Sequence, residues 1–143
     1  MIVLDASLGA KTFLEEQDSP IVRREIASRF LQKQDFIAPD LFRYEMYLAA
    51  FGNGIDPALV DAALRDFTIA GLRIIAPSVL IMEQAFEIAR IGNKKQGWPS
   101  LQDSLYHALA LELGATFWTA DQRHFAKTKH LGAIELFQAN NQP

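Results

Sequence analysis

Cysteine is absent from the chain, which excludes disulfides and thiolate metal sites and suits a cytoplasmic protein. No apolar run approaches the ~20 residues that a membrane span requires. The opening MIVLDASLGAKTFLEE has no basic leader and meets Asp5 early, so it does not read as a signal peptide. Basic charge is also scarce: 14 Lys and Arg against 17 Asp and Glu leave a net charge of −3. That balance argues against strong non-specific affinity for nucleic acid, which rests on neutralising phosphates. It remains compatible with a local basic rim or a basic protein partner. Walker, GxGxxG and G-x-S-x-G motifs are missing. The aromatic residues fall mostly at core spacing and offer no base-stacking platform.

Half of the 143 residues are hydrophobic, enough for one domain, residues 1–143, with a full core. MIVLD reads as a short buried strand stopped by Asp5, followed by a helix from about Ser7 to Glu16. Asp18-Ser19-Pro20 opens a second helix to about Lys33, and Phe36-Ile37-Ala38 is a brief strand. The helix after Pro39 runs to Phe51 and stops at Gly52-Asn53-Gly54. Asp56-Pro57 starts the next helix, and Leu72 to Ala76 forms a strand. Pro77-Ser78 opens a long helix to about Asn93, ahead of the polar turn Lys94 to Gly97. Pro99-Ser100 begins a helix closed at Gly114, then Ala115–Thr119 is a strand. Asp121 to about Lys129 is a short helix, Ala133–Phe137 a final strand, and Gln138–Pro143 a frayed tail. The alternation predicts a three-layer α/β fold with a central parallel sheet of about five strands and helices on both faces.

Four carboxylates stand where such a fold brings chain ends together: Asp5, Glu45, Asp103 and Asp121. Ligand sites of open parallel sheets lie at the carboxyl ends of the strands. Asp5 and Asp121 also fit helix N-caps, each worth about 1 kcal/mol. Ser100-Leu101-Gln102-Asp103 fits a capping box, so Asp103 has a structural reading of its own. Glu45 fits capping least well. It follows Leu41 by four and precedes Leu48 by three, which places it on or beside an apolar helical stripe. Burying an unpaired carboxylate is costly or forces its protonation, so Glu45 calls for a metal, a catalytic role, or an Arg partner such as Arg43. Two carboxylates 5 Å apart repel by roughly 3 kcal/mol at an effective dielectric of 20. A true cluster of four therefore calls for a hard dication with oxygen ligands.

Ser7 and Thr119 stand two residues from Asp5 and Asp121, where they could orient carboxylates or serve as ordinary turn residues. His107 shares a helix face with Asp103, and a structural histidine there competes with a metal ligand. Arg123, His124, Lys127, Lys129 and His130 follow Asp121 and read either as a basic rim for phosphates or as a solvated face.

These segments resemble PIN-domain ribonucleases, in particular the VapC toxins of toxin–antitoxin pairs. MIVLDASLGAKTFLEE is similar to the family's opening strand, acid, Ser and helix; IAPDLFRYEMYLAA to its Pro-led segment carrying Glu; and SLQDSLYHALALELGATFWTADQRHF to its third and fourth motifs. The resemblance covers nearly the whole chain in order. It implies an acidic pocket in which Asp5, Glu45, Asp103 and Asp121 match the catalytic, metal-holding quartet for Mg²⁺ or Mn²⁺. Ser7 and Thr119 match its supporting hydroxyls. It further implies a homodimer, an RNA substrate, and a cognate antitoxin that covers the site. Ser104, where the family often has Ala, and the Leu101-Gln102 lead-in, where an aromatic residue often precedes the acid, depart from the pattern and bear on substrate preference.

The leading expectation is thus a metal-dependent endoribonuclease, with a housekeeping RNA-processing nuclease of the same fold as its variant. A receiver-like phosphoacceptor also uses strand-end acids and Mg²⁺, but no adjacent acid pair closes the first strand here and no Lys ends the last. A binding module whose acids are only caps would bind no Mn²⁺ through the quartet.

Overall fold

The computed structural model describes residues 1–139; the last four residues of the expected tail, 140–143, lie outside the described residues. Five strands form one sheet: β1 (Ile2–Leu4), β2 (Phe36–Pro39), β3 (Arg73–Ile75), β4 (Thr116–Thr119) and β5 (Ile134–Leu136). The helices are α1 (Ala6–Gly9), α2 (Ser19–Leu31), α3 (Leu41–Gly52), α4 (Pro57–Ala70), α5 (Val79–Ala89), α6 (Leu101–Leu113) and α7 (Gln122–Thr128). Short 3₁₀ turns follow α1 (Ala10–Thr12) and α7 (Lys129–Leu131). The strand order is β3-β2-β1-β4-β5 and every pairing is parallel. The expected α/β architecture, a parallel sheet flanked by helices, is what the chain adopts.

The three inner strands are apolar and almost wholly buried, as parallel strands covered on both faces must be. The sequence runs β1 to β2 to β3 in one direction across the sheet, then returns to place β4 on the other side of β1. That reversal between β1 and β4 opens a crevice at their carboxyl ends, where open α/β sheets bind ligands. The register pairs Leu4 with Trp118, and the Asp5 N–H donates to the Trp118 carbonyl at 3.1 Å. The residues that follow both strands therefore emerge side by side.

Two helices differ from the expected lengths. The helix read as Ser7 to Glu16 is α-helical only to Gly9 and ends as a 3₁₀ turn at Thr12. Arg23 of α2 takes the Lys11 and Leu14 carbonyls at 2.8 and 2.9 Å, satisfying them without further helix. The α5 helix stops at Ala89 instead of near Asn93, because Gly92 is packed against Gly97 and Trp98 of the returning turn.

Gly9 sets how closely α1 meets α3. A Cβ there would lie 2.7 Å from Cζ and 2.9 Å from Cε2 of Phe42, a ring with no exposure and no room to yield. Alanine ordinarily stabilises a helix over glycine by up to ~1 kcal/mol, but overpacking a core costs about 1–3 kcal/mol. Gly9→Ala should therefore lower the midpoint of urea unfolding. An unchanged or higher midpoint would show that α1 and α3 can separate freely.

Candidate active site

A cleft of about 700 Å³ opens at the β1/β4 crevice, and its wall includes Asp5, Ser7, Glu45, Ser100, Asp103 and Asp121. The chain thus brings all four sequence-selected acids to one cavity. Asp5 comes from the end of β1, Glu45 from α3, Asp103 from the first turn of α6, and Asp121 from the turn after β4.

Asp5 does not act as the cap that its position permits; its side chain makes no capping hydrogen bond to α1. Its Oδ2 instead accepts the Ser7 hydroxyl at 2.7 Å and the hydroxyl of Thr119, 114 residues away. Each hydroxyl is itself held by a backbone donor: Ser7 Oγ accepts from the Ala120 N–H at 3.1 Å, and Thr119 Oγ1 from the Asp121 N–H at 2.9 Å. The two protons are thereby directed at Asp5. Burial, at 2% exposure, pushes the Asp5 carboxyl above its ordinary pKa against the opposing pull of those hydroxyls.

Asp121 does cap its helix: Oδ1 accepts the His124 N–H at 2.8 Å. Around Asp103 the box is partly rearranged. Ser100 Oγ accepts the Asp103 N–H at 3.0 Å as expected, but the Asp103 carboxylate accepts the Ser100 hydroxyl at 2.9 Å in place of a backbone N–H. Burial, then the charges of Asp5, Asp121 and Glu45, push the Asp103 carboxyl up to about 7.

Glu45 lies beside the core face of α3, which is Phe42, Met46 and Ala50. Among the described residues it forms no salt bridge, so the Arg43 pairing is not made. Its Oε1 is buried without a hydrogen-bond partner, as is the Tyr106 hydroxyl, which lies near enough to perturb Glu45 but outside hydrogen-bonding geometry. Burial pushes Glu45 up to about 7, helped by the Asp5 charge and opposed by Tyr106. An orphaned buried carboxylate oxygen aimed among acids is what a missing cation would leave.

Among the described residues no three His, Cys, Asp or Glu side chains are close enough together to hold a metal ion as they stand. Mutual repulsion keeps uncompensated carboxylates apart. The donor set, all oxygen and lined by hydroxyls, fits Mg²⁺ or Mn²⁺ in kind.

His107 and His124 turn away from the cleft. Both are buried, with His107 Nε2 2.7 Å from the Gly132 carbonyl and His107 Nδ1 3.3 Å from His124 Nε2. The carbonyl can only accept, so His107 carries its proton on Nε2 and takes the His124 Nε2–H on Nδ1. Both rings are neutral; burial lowers both pKa values, that of His124 to about 4. His107 is thus structural, and His124 leaves the basic group it was read with. Lys11 was missed in the sequence. It is buried on the cleft wall, paired with Glu16 and, at 2.7 Å, with Asp18. Burial alone would lower its pKa, but Asp18 and Glu16 outweigh it and raise it. Nothing local distinguishes Lys11 from a solvent-facing helical lysine.

No protein-family model matches the chain, and no curated protein matches it by sequence. A solved structure does: Mycobacterium tuberculosis VapC20, described as a sarcin-ricin loop cleaving toxin. The two superpose with a TM-score of 0.73 over 96% of this chain and 100% of that one, at 17% sequence identity. No helix among the described residues is long and apolar enough to cross a membrane. The chain shares with VapC20 the PIN-like α/β fold, here built on a parallel five-stranded sheet flanked by helices.

Proposed function

We propose that the chain is an endoribonuclease dependent on Mg²⁺ or Mn²⁺, acting as one domain and as the toxin of a cytoplasmic toxin–antitoxin pair. The observation that carries this is the meeting of Asp5, Glu45, Asp103 and Asp121 in one cleft at the strand-order reversal, with two carboxyls pushed up to about 7. The likeness to an RNA-cleaving toxin supports the reaction class. A receiver-like domain would have the order 2-1-3-4-5, which this sheet does not follow.

In this reading Asp5 and Asp103 hold the ion directly, and Asp121 contributes through water or a second ion. Ser7 and Thr119 fix the Asp5 carboxylate. A divalent ion held there would supply Lewis acidity toward water and the phosphoryl oxygens. Glu45 orients the attacking water and takes its proton as the oxygen bonds to phosphorus and the P–O bond of the leaving nucleotide breaks. A pKa near the working pH suits a general base. Exposed apolar side chains on α3 and α5, Tyr44, Phe51, Val79 and Phe86 among them, support a homodimer. A cognate antitoxin would cover the cleft.

Cleavage of structured RNAs, a sarcin-ricin loop hairpin among them, tests the assignment. The wild-type rate should rise with pH through an inflection at or below about 7, where burial puts Glu45 before any ion lowers it. Glu45→Gln should lose roughly 10²–10⁴-fold in rate together with that limb. A variant that keeps the same pH profile would remove Glu45 from proton transfer.

A further inference from the structure

The connection between α5 and α6 has no part in the chemistry above, yet it is a closed turn and not a loose spacer. Asn93 and Gly97 exchange both backbone hydrogen bonds, at 3.1 and 2.7 Å. Asn93 Oδ1 accepts the N–H groups of Lys95 and Gln96 at 3.0 and 2.9 Å. Gly92 lies so close beneath the turn that a Cβ there would come within 2.3 Å of the Gly97 carbonyl and 2.8 Å of Trp98 Cδ1. From α7, Lys127 Nζ donates to the Trp98 carbonyl at 3.1 Å. These contacts order the backbone of the turn that carries Trp98, a residue that nevertheless remains 52% exposed.

A large ring left in water on an ordered turn is unusual, and its neighbourhood is specific. Trp98 is two residues from Ser100, hence within ~7 Å of a residue of the cleft wall. Lys127 belongs to the helix that Asp121 caps. Lys94 and Lys95 are exposed on the same turn, and Lys127 spends one of its three donors on Trp98. In a chain of net charge −3, an exposed aromatic residue on a turn with Lys94 and Lys95, and with Lys127 bonded to its carbonyl, matches a base with its flanking phosphates. Base–aromatic stacking tolerates any base but needs one that is unpaired.

We propose that Trp98 is a base-stacking subsite that takes an unpaired RNA nucleotide beside the cleft, with Lys94, Lys95 and Lys127 meeting the adjoining phosphates. The subsite rests on the ribonuclease reading and gives it a substrate class: RNA with a single-stranded or looped segment at the cut.

The test uses the full chain carrying Asp5→Asn in metal-free buffer, so that RNA binds without being cut. The probes are a 12-nucleotide oligo(A), a stem-loop RNA and a fully paired RNA duplex. The other tryptophan, Trp118, is fully buried, so Trp98 dominates any change in emission. Oligo(A) and the stem-loop should quench that emission, and the duplex should not. Adding Trp98→Ala should weaken binding of the unpaired probes by roughly ten-fold or more. Trp98→Phe should keep most of the affinity and lose the quench. Gly92→Ala, which displaces the ring without changing charge, should weaken binding as Trp98→Ala does. Unchanged affinity in Trp98→Ala overturns the subsite, as does equal weakening for duplex and oligo(A). A Trp98→Ala effect confined to self-association would make this a protein contact and overturn it too. If the parent binds none of the three RNAs, the ribonuclease reading itself falls, and the subsite with it.

Discussion

Asp5→Asn should abolish RNA cleavage, slowing it by ~10³-fold or more, while the metal-free protein melts at a higher temperature than the wild type. The two effects have one origin. Asp5 is buried, and among the described residues no basic side chain pairs with it. Its charge is stabilised by the Thr119 and Ser7 hydroxyls, by the Ser7 backbone, and by whatever cation the cleft binds. Asparagine preserves the acceptor for Ser7 and Thr119, whose own lone pairs stay engaged by the Ala120 and Asp121 N–H groups. The change therefore removes charge with little change of shape. Relief of desolvation and of repulsion from Asp121 should raise stability by about 1 kcal/mol, or a few degrees in Tm. Loss of cleavage with a lowered Tm would instead mark Asp5 as a structural residue. Full cleavage by the variant would remove Asp5 from the chemistry of the cleft.

The sheet was legible because each strand is a short apolar run bounded by turn chemistry. Local signals also placed the Ser100 and Asp121 caps, where one side chain meets an N–H three residues on. What failed was decided across the chain. Asp5 looks like a cap until Thr119 arrives from β4. The first helix looks continuous until Arg23 claims its carbonyls. Trp98 is an aromatic residue that the turn packed on Gly92 leaves exposed. His124 is different, because helical period could have found it: His124 and Thr128 are four apart and both buried, while Arg123 is exposed. The positions of Asp5 and Asp121 followed from strand ends, that of Asp103 from a helix start and that of Glu45 from an apolar helical stripe. Their meeting followed from the strand order, which no single segment contains.

The pH dependence of stability should show the acids as an uncompensated group. Glu45 and Asp103 are pushed up to about 7 in the folded protein and titrate near 4 when unfolded. Between about pH 4 and 7 the folded state binds more protons at these two sites, so their contribution falls as pH rises through that window. The buried histidines oppose this. His124, lowered to about 4, and His107, also lowered, make the folded state proton-poor below about 6.5 and add stability as pH rises. The two trends largely cancel in the wild type alone, so the informative quantity is a difference. Relative to Glu45→Gln/Asp103→Asn, which keeps both histidines, the metal-free wild type should lose on the order of 2 kcal/mol between pH 5 and pH 8. This figure is discounted for solvent screening and for coupling of the two acids. Mn²⁺ should restore the loss, raising the wild-type Tm at pH 8 far more than at pH 5, where protons occupy the carboxylates. The double variant should respond to Mn²⁺ at neither pH. A pH-independent difference would mean that neither burial nor neighbouring charge raises the two carboxyls, and equal Mn²⁺ stabilisation of both proteins would place the ion elsewhere.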